Sequence, residues 1–173
     1  MGYGDRYGVV DVHYPDGGGA RAALLVAADL RFATVVAGHT AWLDRVQPYR
    51  PGGFYARELP PLRAVLALGG ALRLLLVDGY VDLDPAGRPG LGAYVHQETG
   101  LPVIGVAKTA FRGATHAVPV TRGGSTRPLY VTGTGLSLSR AVEIVRDLHG
   151  GYRLPDALRR VDALARTGVV PAG

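Results

Sequence analysis

Cysteine is absent from the 173 residues. Disulfides and thiolate metal sites are therefore excluded, and any metal must rest on carboxylate or imidazole, a donor set that favours hard ions such as Mg²⁺ or Mn²⁺. Long hydrophobic runs are missing as well. A stretch such as Ala22–Ala28 is too short to span a bilayer, so no membrane role is expected. The start, Met1–Tyr7, carries Asp5 and Arg6 and no apolar stretch, so no signal peptide is expected and the default location is the cytoplasm. Lysine is nearly absent: Lys108 is the only one, and the remaining basic residues are arginine. The balance of 19 basic and 14 acidic residues leaves a net charge of +5. That suits a polyanionic partner, although an Arg-, Ala- and Gly-rich composition is also what a GC-rich genome encodes.

The length predicts one domain, residues 1–173. Three β-like runs come first: Tyr7–Tyr14, Ala20–Ala28 and Arg31–Leu43. Asp16-Gly17-Gly18-Gly19 separates the first two, and Asp29-Leu30-Arg31 offers a tight turn before the third. The pattern predicts an antiparallel three-strand meander. After a Pro/Gly loop, Leu59, Leu62, Val65 and Leu66 recur at helical spacing. A helix over Glu58–Gly69 is predicted, with Pro60 and Pro61 in its first turn. Leu74–Val77 and Pro102–Ala107 read as buried parallel strands, Leu91–Thr99 as a helix closed by Gly100, Pro128–Thr132 as a sixth strand, and Ser137–Leu148 as a helix. Thr115–Arg127 carries the weakest pattern. A meander followed by β-α units makes a mixed α/β sheet covered by helices. A ribonuclease H-like fold is compatible with it, among several α/β arrangements.

Three acids stand out by position. Asp11 interrupts Val9-Val10-Asp11-Val12, Asp78 ends Leu74–Val77, and Glu58 stands at the predicted helix start. Carboxylates at strand ends lie where α/β sheets place ligands, and desolvated carboxylates near one another repel until a divalent cation relieves them. One metal cluster from Asp11, Glu58 and Asp78 is expected if the first and fourth strands are neighbours. Taken singly, each acid also reads as a loop cap or a first-turn residue favoured by the helix dipole. In Pro48-Tyr49-Arg50-Pro51-Gly52-Gly53-Phe54 two prolines stiffen the loop, and Gly52 and Gly53 admit a close ligand. A rigid Tyr49 there suits a wedge between stacked bases, or is simply packed. Lys108, at the end of a buried strand, suits a phosphate contact or plain solvation. Gly133-Thr134-Gly135 has neither the Rossmann nor the P-loop spacing.

Val10–Tyr14, Pro48–Glu58, Val77-Asp78-Gly79, Gly105–Lys108 and Gly151–Pro155 together resemble, in order and spacing, the endonuclease V family, over about Tyr7 to Arg166. The resemblance implies a ribonuclease H-like fold and Mg²⁺-dependent hydrolysis of a phosphodiester bond 3′ to deoxyinosine in DNA or inosine in RNA. By the same resemblance Asp11, Glu58 and Asp78 match metal-binding acids, and Lys108 matches a lysine at the scissile phosphate. Tyr49 and Pro51 fall in the strand-parting wedge. Gly52, Gly79 and Gly105 match the pocket for the flipped hypoxanthine, and Asp162 a late position near the metal. The family's usual helical segment before the first strand does not fall within the ten residues preceding Asp11. Asp78-Gly79-Tyr80-Val81 stands where the family often reads Asp-Gly-His-Gly, Asp84-Pro85 where it reads His-Pro, and Arg50 replaces an apolar wedge residue. Two rival readings follow: a nucleic-acid-binding member with weak or lost cleavage, or an α/β enzyme for a small molecule should Asp11 and Asp78 lie far apart.

Overall fold

The computed structural model of the chain describes residues 4–51 and 53–172. Among these, the elements follow in the order β1 (Tyr7–His13), β2 (Ala20–Ala27), β3 (Val35–Leu43), α1 (Phe54–Leu66), β4 (Leu74–Asp78), α2 (Leu91–Thr99), β5 (Val103–Ala107), β6 (Val118–Val120), β7 (Leu129–Thr134), α3 (Leu138–Asp147) and α4 (Asp156–Thr167). One sheet of seven strands holds them in the order β3-β2-β1-β4-β5-β7-β6. β1, β4 and β5 run parallel at its centre. β2 and β3 complete the antiparallel meander on one side, and β7 and β6 add an antiparallel margin on the other. This is the ribonuclease H-like mixed sheet that the sequence suggested.

Alternation along the strands divides the core into two layers. Val10, Leu24, Leu75 and Val77 pack under Leu59, Leu62 and Val65 of α1 and Val95 of α2. Val9, Leu25, Leu76 and Val106 face Val142 and Val145 of α3 and Leu158, Val161 and Leu164 of α4. β4 and β5 are covered on both faces, which is why their apolar runs do not alternate. No helix among the described residues is long and apolar enough to cross a membrane.

Several sequence expectations are corrected. α1 starts at Phe54, so Glu58 sits in its second turn and Pro60 and Pro61 lie inside the helix. Each proline removes one helical N–H, and Pro61 leaves the carbonyl of Arg57 without its i+4 partner. The Tyr14 hydroxyl donates to that carbonyl at 3.2 Å, which offsets the loss. The turn after β2 is wider than Asp29-Leu30-Arg31: one Asp29 carboxylate accepts from the backbone N–H groups of Arg31, Ala33 and Thr34, and β3 starts only at Val35. The weakly patterned Thr115–Arg127 contains β6, and β7 runs to Thr134. β6 is a sheet-edge strand, where Pro119 costs no ladder hydrogen bond on the open side. α4 was not anticipated, yet Leu158, Val161, Leu164 and Ala165 form its buried stripe and Gly168, at φ 73°, closes it.

Candidate active site

The sheet register brings the first two acids together. β1 and β4 are hydrogen-bonded neighbours, and their last register pair is Val10 with Val77. Asp11 and Asp78 each follow that pair directly, on strands about 4.8 Å apart. They share the parity of Val9 and Leu76, so both belong to the α4 side of the sheet. Asp162 of α4 adds a third negative charge felt by Asp11, and its own carboxylate is paired with Arg166 at 3.0 Å. Glu58 reaches the same end of β1 from the opposite layer. It is only 7 % exposed, and the Tyr14 hydroxyl lies within hydrogen-bonding reach of its carboxyl. Arg57, one residue earlier, lays its guanidinium over the Tyr14 ring at 3.9 Å from the centroid.

The charges of this cluster are poorly accommodated by protein alone. Burial and then the charge of Asp78 push the Asp11 carboxyl up to about 7. Burial and then the charge of Asp11 push Glu58 up to about 8, against which the Tyr14 hydrogen bond works only partly. Burial, with Glu58 beside it, also raises the Tyr14 phenol. Asp78 has a cation of its own: Lys108 Nζ sits 2.5 Å from its Oδ2. Burial disfavours charge on Lys108, but the hydrogen bond and charge of Asp78, with Asp11 and Asp162, outweigh it and its pKa is raised. Lys108 is positioned through its backbone, whose carbonyl accepts from Arg153 Nη2 at 2.5 Å.

Among the described residues, no group of three or more His, Asp and Glu side chains is drawn together tightly enough to hold an ion as it stands. The donor chemistry nevertheless fits a hard divalent cation. Asp11 and Glu58 carry more negative charge than their buried setting tolerates, and all three acids offer oxygen.

The glycines fall into different places. Gly79 takes φ 135° directly after Asp78, a conformation that L side chains rarely adopt. Gly105 lies in β5 beneath that turn: a Cβ there would come within 2.6 Å of the Gly79 carbonyl and of Thr132 Oγ1. It seats the turn from below, and Thr132 Oγ1 accepts from Val81 N at 2.8 Å. Gly52 lies outside the described residues. Pro51 is exposed, and Tyr49 is 60 % exposed on the loop before α1. Beside the turn, Tyr55, Leu83, Leu91 and Phe111 help line a cavity of about 230 Å³. Its outer wall is fixed by Tyr80, whose hydroxyl donates to Thr109 O at 2.7 Å and accepts from Phe111 N at 3.0 Å.

Sequence reasoning missed Tyr14, Tyr80, Arg57 and Arg153. All four lie in stretches the sequence reading singled out, Val10–Tyr14, Pro48–Glu58, Asp78–Val81 and Gly151–Pro155, and a proline inside a helix, as Pro61 proves to be, announces a carbonyl in need of a donor.

The sequence model of the endonuclease V family matches residues 5–133, which include Asp11, Glu58, Asp78 and Lys108. An endonuclease V of Streptomyces coelicolor is 37 % identical over 183 residues, covering 92 % of this chain and 77 % of that protein. The crystal structure of the Streptomyces avermitilis endonuclease V superposes with a TM-score of 0.80 at 30 % identity, over 95 % of this chain and 81 % of that one. Ciona intestinalis endonuclease V, in complex with a 24mer DNA containing an inosine followed by a ribo-adenosine, shares the fold with a TM-score of 0.83 at 19 % identity, over 95 % and 85 % of the two chains. With the family's sequence model spanning the acid cluster and relatives matching nearly the full length, the chain belongs to the endonuclease V family.

Proposed function

We propose that the chain is a metal-dependent endonuclease that hydrolyses the phosphodiester bond 3′ to deoxyinosine or inosine. The observation that carries the reading is the acid cluster: Asp11 and Glu58, both raised towards neutrality, beside the Asp78–Lys108 pair. Asp11, Asp78 and Glu58 would hold the ion, with Asp162 behind Asp11. Mg²⁺ or Mn²⁺ bound there supplies a more acidic water and neutralises charge on the phosphate. The chain's own groups do the rest. Tyr14, beside Glu58, ties the second turn of α1 through the Arg57 carbonyl and so fixes the backbone that carries the acid. Lys108, held in place by Arg153, offers its ammonium to a phosphate oxygen or to the departing oxygen. In the net reaction the oxygen of water bonds to phosphorus, one P–O ester bond breaks, and the departing oxygen leaves as a hydroxyl.

Selectivity is assigned to the cavity beside Gly79. A base swung out of its stack would lie among Tyr55, Leu91 and Phe111, with the backbone of Gly90, which donates to Val81 O of the turn at 2.7 Å, at its edge. Hypoxanthine lacks the exocyclic amine of guanine, so a wall of backbone set close to that edge excludes guanine by contact. Tyr49 would fill the space that the base leaves.

A second reading, a member that binds inosine strands but cuts them weakly, has one observation in its favour. Asp84 stands where the family often has histidine, and its carboxylate accepts from Arg88 N at 3.1 Å within its own loop. One experiment separates the two. Matched DNA and RNA oligonucleotides, with and without a single inosine, are incubated with the protein with and without Mg²⁺. Mg²⁺-dependent nicking confined to inosine strands is expected. Binding without nicking in either metal condition gives the second reading, and neither binding nor nicking refutes both.

A further inference from the structure

Outside the acid cluster, one exposed aromatic is anchored more firmly than a surface side chain requires. Tyr152 is 68 % exposed, the highest value among the large hydrophobic side chains of the described residues. Its backbone is fixed from two sides. Buried Arg122 donates to Tyr152 O at 2.9 Å, to Gly150 O at 3.0 Å and to Leu148 O. Gly123 presses on the same segment, where a Cβ would lie 2.6 Å from Gly151 O and 3.1 Å from Tyr152 Cα. The next residue, Arg153, donates to the carbonyls of Lys108, Arg127 and Pro128 at 2.5, 3.0 and 3.0 Å. Tyr152 is therefore coupled through one peptide to the segment that carries Lys108.

The ring has a cation on one side: the Arg159 guanidinium is 5.2 Å from its centroid and is itself held by Asp156. Arg122 and Arg153 spend their guanidinium groups on backbone carbonyls, which leaves Arg159, about half exposed, as the cation at the ring. A rigid, exposed aromatic ring beside one half-exposed guanidinium matches what single-stranded nucleic acid presents, a π face next to a phosphate.

We propose that Tyr152, backed by Arg159, is a stacking platform for an unpaired base of the substrate strand, a contact separate from the Tyr49 loop. The inference rests on the reading that nucleic acid is the substrate. Because the backbone is already ordered, little conformational freedom is lost when the base docks. Every base has a π face, so the contact adds affinity without choosing sequence.

The test uses single-stranded oligonucleotides carrying one inosine and one 2-aminopurine, the latter moved one position at a time to either side of the inosine. Binding is followed in EDTA by anisotropy and by 2-aminopurine quenching, for the wild type and for Y152A, Y152L and Y152F. The expected result is one probe position whose quenching is present in wild type and Y152F and lost in Y152A and Y152L. Affinity is expected to fall about 10-fold in the two aliphatic variants, the scale of one base–aromatic stack. Y152L keeps apolar bulk, so it answers the question should Y152A fail to fold. Quenching patterns and affinities that match wild type in a folded aliphatic variant overturn the platform. A wild-type protein that nicks inosine strands in Mg²⁺ while Tyr152 proves indifferent overturns this inference alone. A wild-type protein that neither binds nor nicks them overturns the functional reading beneath it.

Discussion

Glu58 makes the metal-free protein a poor holder of its own charge, and the effect is measurable as a pH dependence of stability. An ordinary glutamate titrates near 4.5, whereas Glu58, buried beside Asp11, is pushed up to about 8. Below the ordinary value the carboxyl is protonated in both folded and unfolded chains and contributes nothing. Between the two values the folded chain binds more protons than the unfolded one, so stability falls as pH rises, and above about 8 the loss is complete. At about 1.4 kcal/mol per pH unit, the interval sets a ceiling of about 5 kcal/mol. Asp11 and Glu58 repel each other, so that repulsion cannot be charged to both, and water entering the site relieves part of it. About 2 kcal/mol is the reasonable expectation, or roughly 4–8 °C in Tm for a domain of this size. The assay is thermal unfolding in EDTA from pH 5 to pH 8.5, with wild type and Glu58→Gln side by side. Gln keeps the shape and the hydrogen-bonding capacity without the charge. The wild-type Tm should fall across this window, the variant should fall by several degrees less, and Mg²⁺ at pH 8 should raise the wild type more than the variant. A variant as steep as wild type would show that Glu58 is ionised at ordinary pH and that the cluster is not strained.

Asp78→Asn should abolish Mg²⁺-dependent nicking while leaving affinity for inosine strands within a few-fold, because the amide keeps the turn but loses the charge that serves the cation and Lys108; unchanged turnover would place the chemistry elsewhere. Tyr80→Phe removes the hydroxyl that ties Thr109 to Phe111. Nicking of inosine strands should fall severalfold relative to undamaged strands, chiefly through KM, and equal selectivity in variant and wild type would free the cavity wall from any role. Tyr49→Ala should weaken binding to inosine duplex by about one to two decades, on the scale of one lost stack. Binding to undamaged duplex, held by phosphate contacts, should change little at one fixed salt concentration, and an equal loss on both duplexes would make Tyr49 an ordinary surface contact.

The sequence showed the strands that carry the acids, and the reason is burial. β1 and β4 are covered from both layers, so a carboxylate set in or after an apolar run is conspicuous: Asp11 and Asp78 could be picked out one by one. What the sequence could not supply was register. Val10 opposite Val77 is what turns two isolated acids into neighbours, and that pairing depends on hydrogen bonds between segments more than sixty residues apart. α4 was legible in principle, with Leu158, Val161 and Leu164 at helical spacing and Gly168 as a stop. β6 was not, because three residues with a proline in the middle carry no period to read.

Glu58 shows why the electrostatics lay further out of reach than the fold. The double proline was read as a helix start because proline suits a first turn. The chain instead starts α1 at Phe54 and keeps both prolines inside it, tolerable because Tyr14, 43 positions earlier, donates to the carbonyl that Pro61 leaves open. That same phenol lies beside the Glu58 carboxyl, so the side chain that mends the helix is also part of the acid's surroundings. Lys108 follows the same logic: its ammonium meets Asp78 from the next strand, and its carbonyl is held by Arg153 from the loop before α4. Tyr14 and Arg153 both lie in stretches that carry the family resemblance, Val10–Tyr14 and Gly151–Pro155, yet neither residue type says which group it would hold. Their roles arise from hydrogen-bonding groups left open elsewhere, by a missing N–H in one case and by the carbonyl at a strand end in the other. Residue types announce which groups do chemistry, whereas the groups that set their charge are chosen by what the backbone leaves unsatisfied.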